Sequence, residues 1–219
     1  MLAKQNSIRS SLRSTLLFAG LGIAFVGAGC ASAQQQLERG EELYGFCAQC
    51  HGPEAHGIRD VDAPGLTNLD GWYLERQLEE FSAAMRGRPD RDVHESPMIF
   101  VARAYDDPEA VADLVAFIDS LPGYSPARTV MGNASAGRQL YSACDSCHGA
   151  SAEGDVRLRA PALAGLDDWH LVAELREFTT GDRGTHQGDM YGQQMVPVSR
   201  VLTDEQAIFD IVAYINTLR

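Results

Sequence analysis

The sequence predicts an all-α protein made of two tandem copies of one helical unit, and three observations carry that prediction. A shift of 97 residues lays the second half on the first without a gap. Apolar residues recur at the 3.6-residue helical period. No run of alternating β-branched residues is long enough to build a sheet. With 219 residues, 45% hydrophobic and 22% charged, the chain has the balance of a folded protein and the length of one or two domains.

Residues 1–33 read as a separate leader. Lys4, Arg9 and Arg13 precede an apolar run from Leu16 to Ala28, and Ala31, Ser32 and Ala33 form a small-residue cleavage site, the pattern of a secretory signal peptide. Two other readings stay open: the uncharged stretch from Ser14 to Ala33 is nearly long enough to span a bilayer, and Cys30 is a candidate lipid-accepting cysteine. All three export the chain, so the expected location is the periplasm, soluble or held by an N-terminal anchor.

The repeat begins beyond the leader. Gly40 pairs with Gly137, Leu43 with Leu140, Tyr44 with Tyr141, and the pairing runs through Gly57 and Gly154, Pro64 and Pro161, Trp72 and Trp169, Gly87 and Gly184, to Ile118 and Ile215. Leu37, Leu43, Tyr44 and Cys47 predict a first helix, and Leu140, Tyr141 and Cys144 its copy. Trp72, Leu74, Leu78 and Phe81 predict a middle helix, mirrored by Leu171, Leu175 and Phe178. Val111, Leu114, Val115 and Ile118 predict a closing helix, mirrored by Ile208, Ile211, Val212 and Ile215. Asp107 before Pro108 marks the start of one closing helix, and a capping box from Thr203 to Gln206 the start of the other. The expected organisation is a first domain over 34–122, a linker over 123–132 and a second domain over 133–219. Units of about 90 residues with long loops commonly need a staple to complete the core.

Without the leader, 15 arginines face 30 acidic residues, a net charge of −15. That balance argues against nucleic-acid partners. The charge is uneven: 18 acidic and 7 basic residues lie in 34–125, against 12 and 8 in 126–219. Docking of the first half to a basic surface is one reading, solubility the other.

Four cysteines remain after the leader, all in CAQCH at Cys47–His51 and CDSCH at Cys144–His148. In C-x-x-C-H the two cysteines stand at i and i+3 and the histidine at i+4, so a helical turn turns all three to one side. This is the attachment sequence of covalent haem c: Cys47, Cys50, Cys144 and Cys147 form thioethers, and His51 and His148 ligate iron. A zinc site is excluded by the 97-residue separation of the two pairs, and a thioredoxin-like site by the lack of a βαβ context. For the opposite iron face the repeat selects Met98 and Met195, the two methionines that are mates of one another, each 47 residues beyond its histidine. His56, His94, His170 and His186 have no histidine mate and are expected in loops or on the surface, His94 being the nearest competitor of Met98. With both axial positions filled, the iron suits electron passage rather than small-molecule activation.

These motifs, with the stretches at Ala63 and Ala160 and the two methionine loops, resemble class I cytochromes c, and the duplication resembles the dihaem cytochrome c4 family. The resemblance implies two class I cytochrome c domains, each a few helices wrapped around one covalent haem c. It implies that the carbonyls of Pro64 and Pro161 orient the proximal histidines. It also implies that Gly40 crosses Phe117, and Gly137 crosses Tyr214, where first and last helices meet.

By resemblance the function is that of a periplasmic carrier of single electrons, from a bc complex or dehydrogenase to a terminal oxidase or reductase. Its partners would then be redox proteins with a basic docking surface and membrane respiratory complexes. The alternative is the dihaem subunit of a flavin-dependent dehydrogenase such as sulfide dehydrogenase. An autonomous enzyme is not expected, because the mature chain has no cysteine left to act as an unusual ligand and no open iron for peroxide.

Overall fold

The computed structural model describes residues 25–87, 96–105 and 107–218, with side chains from residue 32 onward. The chain divides into compact units at 1–34 and 35–219. Of the first, only 25–34 are described, and they are helical; everything below concerns the second. Most of the leader, and His94, lie outside the described residues.

The first copy contains α1 (Phe25–His51), α2 (Gly71–Ser82), α3 (Ser96–Ala102) and α4 (Pro108–Ser120). The second contains α5 (Ala134–Tyr141), α6 (Asp145–His148), α7 (Asp168–Thr180), α8 (Gly192–Ser199) and α9 (Glu205–Ile215). Residues 121–133 join them without a helix. No strand occurs among the described residues, only isolated bridges between Ile58 and Ala63 and between Asp155 and Ala160.

Both cores are built from the same positions. Tyr44, Ala55, Leu74, Leu114, Val115 and Ile118 form one buried cluster. Their mates Tyr141, Ala152, Leu171, Ile211, Val212 and Ile215 are all buried in the other. Each core closes where its first and last helices cross at a glycine. A Cβ on Gly40 would overlap the Asp113 carbonyl and crowd Phe117 Cβ at 2.7 Å. One on Gly137 would overlap the Asp210 carbonyl and crowd Tyr214 Cβ at 2.9 Å. Only a residue without a side chain permits that approach.

Helix boundaries follow local chemistry. Asp107 caps α4 by accepting from the Glu109 amide at 3.2 Å, with Pro108 in the first turn where its missing N–H costs nothing. The α9 start differs from the expected capping box. Asp204, not Thr203, is the cap, accepting from the Ala207 amide at 2.9 Å, while Gln206 donates to Asp210 at 2.7 Å. A carboxylate beside the hydroxyl is the stronger acceptor for orphan amides, so the cap falls one residue later. The copies also differ where α5 stops at Tyr141 while α1 runs unbroken to His51. The Ser142 hydroxyl donates to the Gln139 carbonyl at 2.7 Å, a local bond that competes with the helix ladder; its mate Gly45 has no such group.

Candidate functional site

Each Cys-x-x-Cys-His run closes a helix, α1 in one copy and α6 in the other. Cys50 and Cys147 are exposed, Cys47 and Cys144 half-buried, and none of the four is in a disulfide. Burial raises the Cys47 thiol, with Tyr105 pulling it partly back. Burial pushes Cys144 up to about 11, helped by the charges of Asp145 and Cys147. Among the described residues no three His, Cys, Asp or Glu side chains converge as they would on a bare cation.

The histidines are buried and held identically. His51 Nδ1 lies 2.8 Å from the Pro64 carbonyl oxygen, and His148 Nδ1 lies 2.8 Å from that of Pro161. A carbonyl only accepts, so Nδ1 carries the proton and Nε2 keeps its lone pair. Burial pushes both imidazoles below their ordinary value, against the proline carbonyl, which raises them. A neutral ring with one lone pair free is the form that binds iron.

The loop from histidine to proline is built for this bond. The Gly57 amide donates to the His51 carbonyl at 2.9 Å, Ile58 and Ala63 exchange bonds at 2.8 and 3.2 Å, and Pro64 follows. The second copy repeats it through Gly154, with a 2.8 Å bond to the His148 carbonyl. Gly57 and Gly154 have φ of +80° and +79°, and a Cβ there would meet backbone at 2.6 and 2.5 Å. Glycine is therefore required at both. Tyr44 and Tyr141 donate to the Gly52 and Gly149 carbonyls at 2.6 and 2.8 Å, pinning the turn after each histidine.

Met98 lies on α3, half-buried against Phe81, Ile99 and Ala102. Met195 lies on α8, likewise half-buried. These short helices were not resolved by periodicity, because each is too brief to show an apolar stripe.

Sequence reasoning missed a buried ionic cluster between the copies. Arg86 and Arg183 are repeat mates, as are Gln77 and Glu174, and Tyr73 and His170. Arg86 donates to Gln77 at 2.5 Å and to Glu174; Arg183 donates to Gln77 at 2.8 Å and to Tyr73 Oη at 3.0 Å and pairs with Glu174. Glu80 binds Arg76 at 2.6 Å, and Arg76 reaches Asp189 at 3.3 Å. His170 is thus not a surface residue as expected. It sits 3.3 Å from Glu174, with burial first, then Arg86 and Arg183, holding it neutral well below the usual histidine range. Because the mate of His170 is a tyrosine, the repeat hid the polar tip that the two share. His56 and His186 are in loops: His56 Nε2 lies 2.9 Å from the Pro122 carbonyl and its ring stacks on Tyr124, and exposed His186 accepts from the Gly188 amide.

Two helical copies, each ending a helix in two free thiols and one oriented neutral imidazole, define a duplicated protein with two covalent haem sites. The residues fit that group by the chemistry of the donors: thiols for thioethers and an unencumbered Nε2 for iron.

The chain belongs to the cytochrome c family, whose model matches residues 37–122 and 134–219. It is 28% identical over 204 residues to a thiosulfate dehydrogenase electron acceptor of Stutzerimonas stutzeri (strain A1501), covering 84% of this chain and 88% of that one. Its fold resembles thiosulfate dehydrogenase (TsdBA) of Marichromatium purpuratum, with TM-score 0.65 and 28% identity over 83% of this chain and 40% of that one. It also resembles reduced cytochrome c4 of Pseudomonas stutzeri, with TM-score 0.65 and 21% identity over 84% and 98%. The protein is a dihaem c-type cytochrome of two tandem cytochrome c domains with a fold like that of cytochrome c4, carries two covalently bound haem c, and acts in electron transfer with redox partners.

Proposed function

We propose that the protein is a periplasmic carrier that takes single electrons from a bc complex or dehydrogenase and hands them to a terminal oxidase or reductase, without catalysis of its own. In this reading the domains are 34–122 and 133–219, joined by 123–132, and the leader exports the chain. Cys47 and Cys50 hold one haem and Cys144 and Cys147 the other, with axial pairs His51 and Met98, and His148 and Met195. When bound, the haem supplies a reversible one-electron couple, and sulfur ligation favours its reduced form.

The protein's own residues keep that couple clean. Pro64 and Pro161 fix each imidazole so that its Nε2 stays aimed and unprotonated, and no proton need move there when charge changes. The carrying observation is that both copies repeat this bond at the same distance, with a methionine mate at the same spacing in each.

No helix among the described residues is long and apolar enough to cross a membrane. The test is stopped-flow mixing of the reduced protein with terminal oxidases and reductases of its host. Transfer at catalytically useful rates is the expected result, and failure with all of them overturns the reading.

A second reading follows from the two thiosulfate dehydrogenase relatives: the protein is the electron-accepting component of a sulfur-compound dehydrogenase. It predicts copurification with that enzyme and reduction of both haems only in its presence. The flavin-dependent dehydrogenase subunit is the other partner to be tried in the same assay.

A further inference from the structure

The gap-free repeat allows each exposed residue of the first domain to be compared with its mate in the second. Along α1, Glu38, Glu42, Phe46 and Cys50 follow at intervals of four, so they form one winding stripe, and all four are exposed. Their mates Ser135, Gln139, Ala143 and Cys147 are exposed too. Exposure is thus shared, while the chemistry is not. The first domain leads two carboxylates and a phenyl ring up to its exposed haem-binding cysteine; the second leads a hydroxyl, an amide and a methyl group.

The contrast extends to the flanks. Exposed Glu41 is mated with exposed Arg138. Phe46 is 55% exposed, a large apolar surface set among charges and left open by the described residues. On α3, two residues from Met98, Phe100 is 68% exposed, and its mate is Pro197. Aromatic side chains at the centre of a charged rim are the common anchors of protein interfaces.

We infer that the stripe Glu38–Glu42–Phe46–Cys50 is the docking face for a redox protein that presents an apolar pocket rimmed by lysine or arginine, and that electrons cross this boundary through the first domain. The inference rests on the carrier reading above and deepens it. The carboxylates steer a basic partner, Phe46 anchors it, and the exposed Cys50 end of the helix brings it nearest the first haem. One electron passes; the partner is oxidised or reduced by one, the carrier changes by the opposite amount, and no bond forms or breaks. The mated stripe of the second domain lacks the two carboxylates and the phenyl ring, so that domain is left to exchange with the first domain or with a different partner.

The test uses the holoprotein mixed in stopped flow with a lysine-rimmed single-haem cytochrome poised in the opposite oxidation state, across a range of ionic strength. Glu38→Lys with Glu42→Lys lowers the second-order rate constant about tenfold at low salt and flattens its salt dependence. Phe46→Ala lowers it about fivefold with the salt slope unchanged, and the haem content of each variant is counted by mass spectrometry. Ser135→Lys with Gln139→Lys, at the mated positions, changes it by less than about twofold. The inference is overturned if the second-domain pair slows transfer as much as the first, or if the first-domain pair leaves it unchanged. Reduction by the neutral probe tetramethyl-p-phenylenediamine separates the two readings. A wild-type protein that takes electrons from the probe while every docking variant behaves alike loses only the docking face, whereas one that takes none loses the carrier reading as well.

Discussion

The side-chain amide of Asn68 donates to the carbonyl of Gly165 at 2.7 Å, and Gly165 is its own repeat mate, 97 residues further on. A residue that touches its mate lies beside the axis relating the two copies. Around it, Arg59 stacks on Trp169 at 4.4 Å and Arg159 on Trp72 at 5.6 Å, each from one copy to the mated ring of the other. Asn68 also donates to the Tyr124 carbonyl at 2.8 Å and accepts from its amide at 3.3 Å, and the Tyr124 hydroxyl donates to Asp167 at 2.6 Å. The linker is thereby stitched into the seam. Asn68→Ala is expected to cost about 1–3 kcal/mol, since three half-buried backbone groups lose their partner. Calorimetry checks it: the domains should begin to unfold as two transitions instead of one.

Buried charge holds the same seam and gives a sharper test. Removing one member strands the others in a poor solvent, so Arg183→Met is expected to lose about 3–5 kcal/mol. Replacing Arg183, Arg86 and Glu174 together with apolar residues of similar volume should recover most of that loss. Denaturant unfolding of the single and triple variants decides; equal losses would mean that the cluster is packing rather than charge.

The helix crossings fix the distance between α1 and α4 and between α5 and α9. A methyl group on Gly40 or Gly137 meets the Asp113 or Asp210 carbonyl and the Cβ of Phe117 or Tyr214, none of which can swing aside. Gly40→Ala and Gly137→Ala are each expected to lose about 3 kcal/mol or more, with falling yields of haem-loaded protein. Gly45→Ala is the control: nothing lies within 4 Å of a Cβ there, so it should be neutral or slightly stabilising through helix propensity.

Much of this was legible in the sequence because the chain carries two independent copies of one answer. Gly57, Pro64 and Tyr44 agree with their mates in the other copy, and the resemblance to class I cytochromes c implied the bond from each proline carbonyl to its histidine that the geometry shows. The cores were legible for the same reason, as Leu114, Val115 and Ile118 and their mates share one helical stripe. What stayed hidden involves residues that differ between copies or act across the seam. His170 and Tyr73 are mates that enter the cluster through different partners, Glu174 and Arg183. Arg86 and Arg183 repeat, yet nothing local says that they meet. The α9 cap falls on Asp204 because its carboxylate competes with the neighbouring Thr203 hydroxyl, a choice that the capping-box pattern alone does not make.

Asp168 supplies a pH dependence with a definite sign. Burial alone would raise this carboxyl, but four donors outweigh it: the Thr129 hydroxyl and amide at 2.7 and 2.5 Å, the Val130 amide at 2.9 Å and Asn216 at 3.1 Å, and the net shift is downward. A carboxyl whose folded value is depressed contributes stability that is fully present above its unfolded value, near 4, and is lost as pH falls through the folded one. Asp168→Asn keeps the size but halves the acceptors, and should cost about 1–3 kcal/mol at neutral pH. In acid that difference should shrink, because wild type then protonates the group that the variant lacks. Thermal melts from pH 7 down to about 3 check this, and a difference that stays constant with pH would show that the carboxylate charge is irrelevant.

The methionines close the argument, because they decide whether the irons are carriers. Met98 and Met195 occupy mated helices at equal spacing from their histidines, so each variant should remove one of two equal contributions. Met98→Ala should lose about half of the methionine-to-iron charge-transfer band and lower one midpoint by about 0.1–0.2 V, a fraction of the ~0.8 V range open to axial ligands. Met195→Ala should do the same to the other midpoint, and the double variant should abolish the band. Each single variant should also bind carbon monoxide at one haem when reduced, since its iron has gained an exchangeable position. Potentiometric titration of the three variants reads all of this. If Met98→Ala leaves both midpoints and the band intact, the first haem has another ligand, and His94→Ala in the same titration identifies whether it is that imidazole.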